Sequence, residues 1–193
     1  MAFAEQVELE AVEPLIQRQL RMNLAIAEEG LRRDWGANIG SVLLRHNGDG
    51  VKNRAKAMAA AGSDARMSGC ELPVCIVSGS GNQGITASVP VAVYAKELNV
   101  GEEKTIRAVL LSDLLTIHLK TGIGRLSAYC GAVSAGCAAG AAIAWLHGGG
   151  YAEIAHTLVN ALAITSGIVC DGAKPSCAAK IATAVETGIL GYE

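Results

Sequence analysis

The residues with the most chemistry to offer are six cysteines: Cys70, Cys75, Cys130, Cys137, Cys170 and Cys177. Cys130 and Cys137 have six residues between them, as do Cys170 and Cys177. Neither spacing matches the close-set pairs of zinc sites or the common ferredoxin runs. In a reducing compartment, thiols point to metal binding or catalysis before they point to cross-links. Free cysteine is also a common small core residue, so plain packing stands as the rival reading. The run Cys170-Asp171-Gly172-Ala173-Lys174-Pro175-Ser176-Cys177 reads as a turn. Cysteines in a turn can aim thiolates at one centre, and Gly172 leaves room for a bulky guest. Lys174 would bring positive charge to thiolates or to an anionic substrate. A second run, Ser78-Gly79-Ser80-Gly81-Asn82-Gln83-Gly84, reads as a glycine-rich loop. Its backbone N–H groups could line an anion-binding hollow, with side-chain donors from Ser78, Ser80, Asn82 and Gln83. The rival reading is a flexible surface turn.

Helices must position these runs. Val12, Ile16, Leu20, Leu24, Ala27 and Leu31 recur every three or four residues, with Glu28, Glu29, Arg32 and Arg33 on the wet side. Residues 51–61 are rich in Ala and Lys and read as a short helix. Ser88 is expected to cap the next helix, with Pro90 in its first turn and an end near Asn99-Val100-Gly101. Residues 102–120 form an amphipathic helix through Ile106, Val109, Leu110, Leu114 and Ile117. An apolar helix over 126–146, another over about 151–168, and a last one through Ile181, Val185 and Ile189 complete the pattern. No linker or fixed-period repeat divides the chain. We expect one all-α domain over 1–193, a compact helical bundle with glycine-rich loops around a buried site.

Composition sets limits on partners. The 193 residues carry a net charge of −2, so no basic excess points to nucleic acid. Aromatic residues are 4% and glycines number 23, which favours closely packed helices over bulky layers. Residues 126–146 carry no charge and place Gly136 and Gly140 at the spacing of membrane helix contacts. Most of that stretch is Ala, Gly, Ser and Cys, which insert weakly, so it reads as a buried core helix. The acidic first thirteen residues lack a long apolar run, and a cytoplasmic protein is expected.

The runs Cys130-Gly131-Ala132-Val133-Ser134-Ala135-Gly136 and 170–177, with the loop 78–86, resemble the signature of the serine dehydratase alpha-chain family, above all its L-cysteine desulfidase branch. The resemblance extends over nearly the whole chain from about Leu20. It implies a [4Fe–4S] cluster held by Cys130, Cys170 and Cys177, with one iron left to polarise a leaving group. It also implies elimination of hydrogen sulfide from L-cysteine, or of water from L-serine, giving pyruvate and ammonia without pyridoxal phosphate. Ser78, Gly79, Ser80, Gly81, Asn82, Gln83 and Lys174 are the expected substrate contacts. Cys70, Cys75 and Cys137 match no ligand position. No general base is assigned among His46, His118, His147 and His156. Full family members carry a preceding N-terminal region. The resemblance therefore implies a homo-oligomer, or association with that missing domain or with a beta chain. A non-catalytic iron–sulfur or metal-binding subunit, or a structural helical domain, is the alternative.

Overall fold

The computed structural model describes residues 1–124, 127–166, 168–170 and 172–193. Leu126, the expected start of the apolar helix, and Asp171 of the cysteine turn lie outside the described residues. In chain order the helices are α1 (Ala2–Gln6), α2 (Leu9–Arg32), α3 (Ile39–Asn47), α4 (Val51–Met67), α5 (Gly81–Glu97), α6 (Glu102–Ile123), α7 (Gly131–Leu146), α8 (Tyr151–Thr165) and α9 (Cys177–Tyr192). The protein is all-α, as its periodicity predicts. Among the described residues the one extended pairing is a single antiparallel bridge between Tyr129 and Val169.

α7 is the axle of the bundle, and α5, α6, α8 and α9 pack around it. Its composition explains that position. Ala135, Ala138, Ala141, Ala142 and Ala144 are wholly buried, and side chains this small let neighbours approach on every side. The closest approach is to α9. A Cβ on Gly136 would lie 2.6 Å from the Cβ of Ala184, and one on Gly140 would overlap the backbone of Gly188. The small-residue spacing in α7 therefore serves a helix crossing inside the core. Among the described residues no helix is long and apolar enough to cross a membrane.

Several boundaries differ from the sequence reading, each for a local reason. α7 starts at Gly131 rather than near 126, because residues 129 and 130 are drawn into the bridge with 168–170. α5 starts at Gly81, not at Ser88. Its cap is Ser80, whose Oγ accepts from the backbone N–H of Gln83 at 3.3 Å. Ser88 is interior, donating to the Gly84 carbonyl at 2.8 Å and accepting from Asn23 at 3.0 Å. α4 continues six residues past Ala61, to Met67, with Gly62, Ser63, Asp64 and Ala65 all buried. The stretch that forms α3 carries only a short apolar pattern, Ile39, Val42 and Leu43. Gly40 lies against Ala61 of α4 so closely that a Cβ would come within 2.6 Å of the Ala61 methyl, and this packing, not a long apolar stripe, fixes the short helix.

Candidate functional site

Cys130 and Cys170 are brought together by a short clip of backbone. The Cys170 N–H donates to the Ala128 carbonyl at 2.6 Å, and the Cys130 N–H donates to the Ile168 carbonyl at 3.3 Å. These bonds flank the Tyr129–Val169 bridge. Cys177 arrives separately, as the first residue of α9. Its N–H donates to the Lys174 carbonyl at 2.9 Å and its thiol to the Gly172 carbonyl at 3.7 Å. Lys180, one turn along α9, donates to the Val169 carbonyl at 3.2 Å and fastens the helix to the clip. All three sulfur-bearing residues line one cavity of about 150 Å³, together with Arg66, Ser80, Asn82, Gly131, Ala132, Gly172 and Ala173.

The electrostatics of this cavity favour negative charge. α5, α7 and α9 all open onto it with their N-termini, through Ser80 and Asn82, through Cys130, Gly131 and Ala132, and through Cys177. Each N-terminus carries about half a positive charge from its aligned peptide dipoles. Arg66 adds a full one. Burial pushes the Cys130 thiol up, N–H groups of Val133 and Ala132 pull it down, and the charges of Cys170 and Cys177 push it up again. Cys130 therefore lies within electrostatic reach of the other two sulfurs. Among the described residues no three His, Cys, Asp or Glu side chains close on a single ion.

The glycine-rich run divides between tasks. Residues 78–80 are irregular, whereas Gly81, Asn82, Gln83 and Gly84 form the first turn of α5. The expected hollow of loop N–H groups is thus a helix N-terminus. Ser80 and Asn82 line the cavity with the cysteines. Gln83 is fully buried and braces the loop: its Oε1 accepts from the Ser78 N–H at 2.9 Å and its Nε2 donates to Ser78 Oγ at 3.2 Å. Ser78 faces a neighbouring groove, and Gly79 lies above the Gln83 side chain. Gly81 and Gly84 serve close packing. A Cβ on Gly81 would collide with the Arg66 guanidinium, and one on Gly84 with the Cys75 carbonyl. Lys174 is exposed on the loop before α9 and is not among the residues lining the cavity.

The remaining thiols stand elsewhere. Cys137 is buried within α7, its sulfur 3.6 Å from Thr165 Oγ1. Cys75 donates to the Met22 sulfur at 3.5 Å, and Cys70 is half-buried beyond the end of α4. His46, His118, His147 and His156 are all exposed and none lines the cavity. His147 instead stacks on Tyr192, with ring centres 5.2 Å apart. Two cations escaped the sequence reading. Arg66 donates to Asn82 Oδ1 at 3.2 Å, and Lys120 ends α6 beside Gly131. Arg66 lies in the stretch of α4 past residue 61, and Lys120 looks in sequence like an ordinary solvated residue at a helix end.

Comparison with known proteins bears on all of this. The profile of the family described as serine dehydratase alpha chain matches residues 2–193. A UPF0597 protein of Desulfitobacterium hafniense is 67% identical over 190 residues, which are 98% of this chain and 44% of that protein. A UPF0597 protein of Lachnoclostridium phytofermentans is 60% identical over 188 residues, 97% of this chain and 45% of its own length. One from Treponema denticola is 52% identical over 196 residues, covering 99% of this chain and 46% of the relative. The chain thus spans less than half the length of these curated relatives. No solved structure matches it.

Proposed function

This chain belongs to the serine dehydratase alpha-chain family, and on that premise we propose that it is the cluster-binding portion of an iron–sulfur lyase. The reaction is elimination of hydrogen sulfide from L-cysteine or of water from L-serine, with pyruvate and ammonia as products. The observation that carries this reading is the meeting of Cys130, Cys170 and Cys177 on one small cavity. They come from chain positions forty and seven residues apart, and simple packing gives no reason for their convergence. The donor set fits a [4Fe–4S] cluster: three thiols, walls of glycine and alanine that leave space, and surrounding positive charge.

A cluster held by Cys130, Cys170 and Cys177 supplies, when bound, a Lewis-acidic iron for the leaving group on the β-carbon. The N-termini of α5, α7 and α9 turn their positive ends toward an anionic guest. Arg66, fixed by Asn82, offsets the anionic charge from the opposite wall. Ser80 and Asn82 offer hydrogen bonds to a small polar guest. The four histidines lie away from the cavity, so we assign the base that takes the α-proton to the portion of the relatives that this chain does not span. Completion of the enzyme is accordingly expected from that portion, from a beta chain, or from a second copy. The cysteine and loop motifs favour L-cysteine over L-serine. A reducing cytoplasm suits such thiolates. The second reading, a cluster-binding subunit without activity of its own, is favoured by the absence of histidine from the residues that line the cavity.

The test is anaerobic reconstitution followed by iron and sulfide analysis. Cys130→Ser, Cys170→Ser and Cys177→Ser should each lose most of the iron, while Cys70→Ser, Cys75→Ser and Cys137→Ser keep it. Pyruvate release from both amino acids, with and without the complementary portion, separates the lyase from the inert subunit. A colourless wild-type protein without iron would overturn both readings.

A further inference from the structure

Lys120 stands half-buried in the last turn of α6, next to the first residue of α7. A Cβ on Gly131 would lie 3.8 Å from its Nζ and 3.7 Å from Nε2 of Gln83. Gly131 also lines the cysteine cavity, so this ammonium sits at the cavity's edge. It faces outward onto a groove of about 630 Å³ that it shares with Ser78. Among the described residues no carboxylate lies within ion-pair distance of Lys120. Most other basic residues of the interior faces are answered: Lys52 and Lys56 by Glu186, Arg54 by Glu97, Arg107 by Glu103.

We infer that Lys120 binds the α-carboxylate of the substrate, an inference that rests on the lyase reading above. Serine and cysteine are short. The carboxylate and the leaving group are attached to adjacent carbons, so whatever holds the carboxylate must border the cavity that receives the leaving group. Lys120 meets that requirement from the groove side. The Ser78 hydroxyl, held by Gln83 Nε2 at 3.2 Å, faces the same groove and can turn its hydrogen to the second carboxylate oxygen. Arg66 donates to Asn82, packs over Gly81 and lines the cysteine cavity rather than the groove. Gly131 lies between groove and cavity, and a Cβ there would make ordinary contact with both Lys120 and Gln83. The specificity that follows is for small amino acids over the corresponding amines.

Calorimetric titration of the anaerobically reconstituted protein with L-serine and with ethanolamine, its counterpart without the carboxylate, tests this. Wild type should prefer L-serine. Lys120→Met should weaken L-serine about tenfold to a hundredfold, the range for a lost charged hydrogen bond. Ethanolamine binding should stay unchanged, and Lys120→Arg should recover most of the loss. Equal preference in wild type and Lys120→Met would overturn the inference, as would loss of iron in Lys120→Met alone, which would mark a structural role. Discrimination that depends on Lys120 in a protein without iron would instead uphold the carboxylate site and sink the cluster.

Discussion

Replacing Gly136 with Ala adds one methyl group to the α7–α9 crossing. The new Cβ would lie 2.6 Å from Ala184, where ordinary contact begins at 3.4 Å, so the helices must separate by about 0.8 Å. The opposing atoms are backbone and a Cβ, which cannot rotate away. Overpacking of this kind costs about 1–3 kcal/mol. The better helix propensity of Ala returns about 0.5–1 kcal/mol. The net loss is on the order of 1 kcal/mol within a span of about 0–2.5 kcal/mol, or about 2–4 °C in Tm at that central value for a chain this long. Gly122→Ala is the internal control, because nothing lies within 4 Å of its Cβ position in α6. The same chemical change there should raise Tm by about a degree or two. Cys130 precedes α7 and Cys177 begins α9, so spreading the crossing should also lower iron retention. Thermal unfolding by circular dichroism and iron analysis read both effects. A Gly136→Ala protein as stable as Gly122→Ala would refute the argument that backbone proximity sets this crossing.

Asp113 and Asn23 test two other parts of the fold. Burial pushes the Asp113 carboxyl from 3.8 up to about 7, against the pull of a hydrogen bond from Gln19 at 3.0 Å. The unfolded chain releases this proton first, so stability should fall as pH rises from about 4 to about 7 and then level, by on the order of 4 kcal/mol. Asp113→Asn, which keeps the acceptor for Gln19, should unfold at a higher temperature than wild type at about pH 8 and at the same temperature near about pH 4; a constant difference would exclude the carboxyl as the cause. Asn23 clasps the segment before α5: its Oδ1 accepts from the Cys75 N–H at 2.9 Å and its Nδ2 donates to Ser88 Oγ at 3.0 Å. Asn23→Ala strands the Cys75 N–H, while Ser88 keeps its bond to the Gly84 carbonyl, and should cost about 1–3 kcal/mol in urea unfolding, with faster amide exchange over 73–80.

What could be read from sequence followed the range of the forces involved. The stripe through Val12, Ile16 and Leu20 and the one through Ile106, Val109 and Leu110 gave α2 and α6 their places, because a helical stripe is a local pattern. The cysteine trio was legible as motifs, and the cavity does bring those residues together. The bridge from Tyr129 to Val169 was not, since it joins residues forty apart and is one pair long. The Ser78–Gly84 run misled because glycine suggests a loop, whereas Gly81 and Gly84 are small to admit Arg66 and the Cys75 carbonyl against a helix. Arg66 and Lys120 acquire meaning only from what lies opposite them.

The meeting of three helix beginnings at one cavity has a further consequence. Like poles brought together repel, so this corner of the bundle works against its own assembly until something negative lies between them. An anionic guest converts that repulsion into attraction, and mass action then requires the fold to tighten as the guest binds. Loading should therefore register as a rise in unfolding temperature, concentrated in the first turns of α5, α7 and α9.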